Sequence, residues 1–182
     1  MSVRFQMRTL FFKILLLSGI PFGFLIAILS MQREKVFDVI LNGILSGLVF
    51  GTLVSYLLIS LHKSFSRKVV TDSFNHDFGI FQSRRIEIPL SYEDAYRLCL
   101  QSLKTISRCS IQSQSHDEGI IKARAGINWK TWGDNVLLKL VKGEGATIVE
   151  ISSRPSARST LVDFGKNLDN VERIKSFLID NS

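Results

Sequence analysis

The chain is poor in the residues that usually carry chemistry. Its 182 residues include two cysteines, three histidines and three prolines. Cys99 and Cys109 stand apart, with no CxxC and no Cys/His cluster, so none of the common zinc spacings is present. Two cysteines do not make a disulfide framework. No serine or cysteine occupies a nucleophile elbow. His62 and His76 fall in a linker, and His116 adjoins Asp117-Glu118-Gly119, which reads as a turn rather than an acid–base pair. The expectation is therefore no metal, no cofactor and no catalytic residue.

Charge is missing altogether from two long stretches. Ile14–Met31 and Val39–Leu61 contain no Asp, Glu, Lys or Arg over 18 and 23 residues. A helix rises about 1.5 Å per residue and the hydrocarbon slab is about 30 Å thick, so each run is long enough to cross a bilayer. A signal peptide explains the first run poorly, since no small-x-small cleavage pattern follows and a second run comes at once. With no ionisable side chain in mid-run, an ion or proton path is not expected.

Basic residues flank the pair unevenly. Arg4, Arg8 and Lys13 precede the first run, and His62, Lys63, Arg67 and Lys68 follow the second. The connecting segment Gln32–Asp38 balances Arg33 and Lys35 against Glu34 and Asp38. The positive-inside rule then places both termini in the cytoplasm, as a multi-pass protein of the inner membrane. Seven connecting residues make the helices antiparallel neighbours. Gly43, Gly47 and Gly51 recur every four residues in the second run, and Gly19 and Gly23 do so in the first. Small residues at that spacing let backbones approach closely, either within the hairpin or between copies in a homo-oligomer.

The net charge of +7 is concentrated near those runs. The first 83 residues hold 8 Lys/Arg against 4 Asp/Glu, and the remainder holds 15 against 12. A nucleic-acid binder would carry a dense basic stripe in its soluble part, so nucleic acid is not an expected partner.

Three segments follow from this: a helical hairpin over residues 1–61, a basic linker over 62–83 and a soluble domain over 84–182. In the domain, Ile86, Ile88 and Leu90 alternate with Glu87 and Pro89 as an edge strand would. Ser91 reads as a helix N-cap before Glu93 and Asp94, and Tyr92, Ala95, Tyr96, Cys99, Leu103 and Ile106 lie at helical spacing. Strands are expected at Cys109–Ser115, Ile120–Ile127, Asn135–Val141 and Ala146–Ser152, and a helix at Leu168–Ile179. The order strand, helix, four strands, helix predicts a two-layer α+β domain with a mostly antiparallel sheet. Trp129 and Trp132 join two of the strands, with Trp132 expected in the core and Trp129 as a candidate contact.

Glu150–Ile174 reads EISSRPSARSTLVDFGKNLDNVERI. It resembles the closing signature of an uncharacterised bacterial domain family, roughly R-S-x-S-R-x-G-x-x-D-x-G-x-N-x-x-R-I. Arg154, Arg158, Asp163, Gly165 and Asn167 fall in register with that signature. Pro155, Ala157, Thr160 and Asn170 depart from it. The resemblance implies neither a reaction nor a catalytic residue.

Without the family, the segment has two readings. In one, Asp163 pairs with an arginine, Gly165 takes a backbone conformation closed to other residues, and Asn167 caps the last helix. In the other, Arg154, Arg158, Lys166 and Arg173 gather to bind an anion such as a phosphate or lipid headgroup. Asp163-Phe164-Gly165 also spells the kinase metal-binding triplet, but no glycine-rich phosphate loop accompanies it. Two functional expectations remain: a non-catalytic, membrane-anchored interaction module that binds a protein or itself, and a small-ligand or anionic-lipid binder at the membrane surface.

Overall fold

The structure, a computed structural model, describes residues 3–32, 35–69, 79–128 and 131–182. It divides into two compact units, Met1–Ser64 and Phe65–Ser182.

The first unit is a pair of helices, α1 (Val3–Ser30) and α2, which begins at Val36 and continues to Arg67. Met7–Ser30 and α2 are each long and apolar enough to cross a membrane. Both helices overrun the charge-free stretches, because Arg, Lys and Gln sustain a helix as readily as Leu does. The first residues of the expected linker are accordingly helical.

Glycine sets how the two helices meet. A Cβ on Gly19 would lie 2.6 Å from the carbonyl oxygen of Gly47, and one on Gly23 would overlap that of Gly43. Only a residue without a side chain fits such an approach. Ser55 Oγ lies 2.7 Å from the Gly51 carbonyl oxygen and 3.2 Å from that of Phe11, adding a polar link from α2 to α1. Phe22 and Phe50 stack with ring centroids 4.1 Å apart. Leu16, Ile20, Phe24, Ile44, Leu48 and Leu57 all point outward. Side chains of this kind on the outside suit lipid as the solvent, not water.

The second unit is an α+β domain. Its strands are β1 (Gln82–Ile88), β2 (Cys109–Ser115), β3 (Ile120–Ala125), β4 (Asp134–Lys142) and β5 (Thr147–Pro155). They form one antiparallel sheet in the order β1-β5-β4-β3-β2. Helices α3 (Tyr92–Ser102) and α4 (Lys166–Asp180) pack together on one face. Alternation places Val136, Leu138 and Leu140 of β4 with Val149 and Ile151 of β5 toward the helices. Leu168, Val171, Ile174 and Leu178 of α4 meet them at steps of three and four.

Local signals explain the ends. Ser91 accepts a hydrogen bond from the Asp94 amide at 3.2 Å and so caps α3. β1 stops before Pro89, which has no N–H for the ladder, and the Thr147 hydroxyl donates to the Leu90 carbonyl at 2.9 Å instead. β2 is an exposed edge strand with a register shift between Ile111 and Ser113, which blunts it as a template for further pairing. The β4–β5 hairpin closes through the Gly143 amide and the Ala146 carbonyl at 2.9 Å.

Candidate interaction surface

A polar knot lies at the end of the sheet where β4 begins and β5 ends. Thr131 donates its hydroxyl to Asp134 Oδ1 at 2.8 Å. Asn170 Nδ2, on α4, donates to Asp134 Oδ2 at 3.2 Å and sits 3.2 Å from Ser153 Oγ. Ser153 donates to Asn167 Oδ1 at 2.7 Å, and Asn167 Nδ2 donates to Asp163 Oδ2 at 2.8 Å. All six side chains are buried, Asp134 completely. Such groups are costly inside a protein unless bonded to one another, so the knot joins four segments that no periodic pattern links. Burial pushes the Asp134 carboxyl above its usual range, and the neighbouring Asp163 charge adds to this. Hydrogen bonds from Thr131 and Asn170 and the Lys166 charge oppose the rise.

Asp163 also builds the start of α4. Its carboxylate accepts from the Gly165 amide at 3.1 Å and the Asn167 amide at 2.9 Å. Asp163 therefore does the capping expected of Asn167, whose side chain is drawn into the knot. The reason is reach: Asn167 already lies inside the helix, whereas Asp163 precedes the unpaired amides of the first turn. Gly165 has φ of +73°, and a Cβ there would stand 2.8 Å from Ser66 Cα. Conformation and space both call for glycine.

The expected arginine cluster takes a different form. Lys166 and Arg173 converge on Asp169, each at 2.8 Å. Burial raises the Asp169 carboxyl, but the hydrogen bonds and charges of Lys166 and Arg173 outweigh it and hold the group below the usual range. Arg154 is exposed on the sheet face away from the helices, because Ser153 takes the inward position. Arg158 is exposed in the segment before α4.

The knot holds the walls of a cleft of about 490 Å³. One wall is the β3–β4 connection, with Ile127, Asn128, Thr131 and Trp132, and the other is Ser159–Val162 with Phe164. Asn128 and Thr131 bond each other's backbones at 3.0 and 3.3 Å. Gly133, with φ of +97°, then reverses the side-chain phase entering β4. Asp134 goes inward as a result, and Trp132 is 71% exposed, not in the core as its size predicts. Trp129, the other candidate contact, lies outside the described residues, as do Phe74 and Phe78 of the linker. Among the described residues, none that lines the cleft is charged.

Neither a family model nor a curated protein matches this sequence. Among solved structures, the crystal structure of Ara h 8.0201 is 10% identical, with a TM-score of 0.32 over 56% of this chain and 98% of that one. The di-domain ARO/CYC StfQ from the steffimycin biosynthetic pathway is 9% identical, with a TM-score of 0.31 over 81% of this chain and 62% of that one. Likenesses this distant say nothing about a ligand or a reaction.

The remaining groups with chemical potential are engaged or enclosed. Burial pushes the Cys99 thiol up to about 12 and also raises Cys109. His116, beside the Asp117–Gly119 turn, is exposed and stands against two tyrosine rings, with centroids 5.2 Å from Tyr92 and 4.8 Å from Tyr96. Its Nε2 lies 2.8 Å from Glu93. Among the described residues, no three His, Cys, Asp or Glu side chains are grouped to hold a metal ion. The cleft was not legible from sequence, since its walls come from residues some 30 positions apart; the one cue was a tryptophan pair next to Gly133.

Proposed function

We propose that the chain is a non-catalytic interaction module held at the cytoplasmic face of the inner membrane by a two-helix anchor. The observation that carries this reading is the cleft at Trp132. Its described residues offer apolar and hydroxyl-bearing surface to a partner, and none of them is an ionisable group for proton transfer. The two buried carboxylates beside it are tied into the knot, Asp134 by the Thr131 and Asn170 side chains and Asp163 by the amides that start α4. The outward apolar side chains of α1 and α2 support the anchor, and the basic flanks at Arg8, Lys63, Arg67 and Lys68 support cytoplasmic termini.

Cell fractionation of the full-length chain tests the anchor. It should remain with membranes after alkaline carbonate washing, and a C-terminal tag should resist protease in intact cells but not in permeabilised ones. Release by carbonate, or a tag cut from outside, would reject the reading. The interaction itself is tested by a photo-crosslinker at Ile127 in the membrane-embedded chain. Adducts to protein or to lipid are expected, and an unmodified chain would leave the cleft without a partner.

A further inference from the structure

The loop end of the soluble unit combines an apolar tip with a rim of one charge. Trp132 and Ile127 are 71% and 57% exposed, and together they form the outer lip of the cleft. Four exposed arginines lie on the segments that carry or flank this lip. Arg108 Nη1 donates to the Ile127 carbonyl at 3.3 Å. Arg124 Nε would lie 3.8 Å from a Cβ on Gly133, next to Trp132. Arg154 shares a sheet row with Arg124, since both pair with Asn135. Arg158 sits in the segment leading to the opposite wall. The acids in residues 119–143 and 151–168 are Asp134 and Asp163, and both are buried. The described residues of these two segments therefore present apolar side chains and positive charge, with no exposed carboxylate.

The chain also enters the unit beside this surface. Phe65, four residues past the end of the second apolar run, packs edge-on against Phe164 of the cleft with centroids 6.0 Å apart. Lys68 lies over the Phe65 ring at 5.7 Å.

We propose that Trp132 and Ile127 insert into the headgroup layer of an anionic bilayer while Arg108, Arg124, Arg154 and Arg158 contact lipid phosphates. Indole rings partition to that depth, and arginine binds phosphate with paired N–H groups while its stem stays in apolar surroundings. An anionic bilayer offers phosphate to all four arginines at once, which matches a surface whose described acids, Asp134 and Asp163, are both buried. This rests on the reading of α1 and α2 as spans and names what the cleft's outer lip meets.

The test uses full-length chain carrying Trp129→Phe, so that Trp132 is the sole tryptophan, reconstituted in phosphatidylcholine vesicles with and without phosphatidylglycerol. Vesicle flotation reads the anchor, and quenching by lipids brominated near the headgroup reads docking. Flotation with about twofold quenching in anionic vesicles, and clearly less in neutral ones, is expected for an indole at the headgroup boundary. Arg124→Gln with Arg158→Gln should reduce the anionic value to the neutral one. Flotation without quenching, or with equal quenching in both compositions, would overturn the docking and leave the anchor standing. Failure to float would remove the anchor itself. A photo-crosslinker at Ile127 that captures one discrete protein in cells and no lipid would overturn the proposal in favour of a protein partner.

Discussion

The two units of this chain solve the same packing problem with opposite materials. The soluble unit buries Leu138, Ile151, Ile174 and Leu178 and leaves arginine, lysine and serine outside. The helix pair leaves leucine, isoleucine and phenylalanine outside and turns glycine and serine inward. Water drives the first arrangement, because each apolar side chain gains by leaving it. On the reading of α1 and α2 as spans, lipid gives no such gain, so the helices depend on close backbone approach and dispersion contacts. A large residue is therefore a support in one unit and an obstruction in the other.

The sharpest way to break the contrast is to exchange the two strategies. Gly23→Ile adds bulk where a Cβ already overlaps the Gly43 carbonyl, so the hairpin should come apart. Cross-linking between Phe22→Cys and Phe50→Cys, whose parent rings stack at 4.1 Å, should be efficient in the parent and lost in the variant. Ile20→Ala, on the outward face, should leave it intact. In the soluble unit the same kind of truncation has the reverse effect. Leu138→Ala, at a fully buried position, should cost about 2–5 kcal/mol of unfolding free energy, read by denaturant titration of the domain's far-ultraviolet signal. If Leu138→Ala were as mild as Ile20→Ala, the comparison would fail.

Those differences were visible in the sequence, because both units advertise themselves by period. Charge-free runs with glycine every fourth residue, alternation in β4, and the Leu168–Leu178 stripe of α4 each follow from a repeat that residue order alone displays. The knot follows no repeat. Asp134 and Asn170 are 36 residues apart, and Ser153 and Asn167 are 14 apart. Read locally, Asp134 is a turn residue and Asn170 an unremarkable helix position. Trp132 was misplaced for a related reason. Its size argued for burial, but the positive φ of Gly133 shifts the phase of β4 and gives the inward place to Asp134. The cleft depends on that reversal, so the least legible residues are the ones that shape the surface.

A smaller effect sharpens the picture of the knot as a clamp. Gly165→Ala forces a side chain into a left-handed conformation and against the Ser66 backbone. The strain should cost about 1–3 kcal/mol. If Gly165 mattered only for space, Gly165→Asn would be worse than Gly165→Ala; if conformation dominates, asparagine, which tolerates positive φ, should be the milder of the two. Thermal unfolding of both variants separates the cases.

The last and smallest effect concerns pH, and it distinguishes a clamp built on burial from one built on charge. Asp134 is raised by burial and by Asp163, against its hydrogen bonds and Lys166. Its folded-state value lies above its unfolded one, so its contribution to stability is full below the unfolded value and declines as pH rises through the folded one. Asp169 is half-buried, yet Lys166 and Arg173 bring it below its unfolded value. Its contribution is present above the unfolded value and declines as pH falls through the folded one. Denaturant titrations across the acid range should therefore give opposite slopes. The stability lost on Asp134→Asn should shrink as pH rises, whereas that lost on Asp169→Asn should grow. Parallel slopes would mean that Asp134 is held by charge as Asp169 is, and that the knot is an ionic site with an unrecognised counter-ion in place of a neutral, fold-making one.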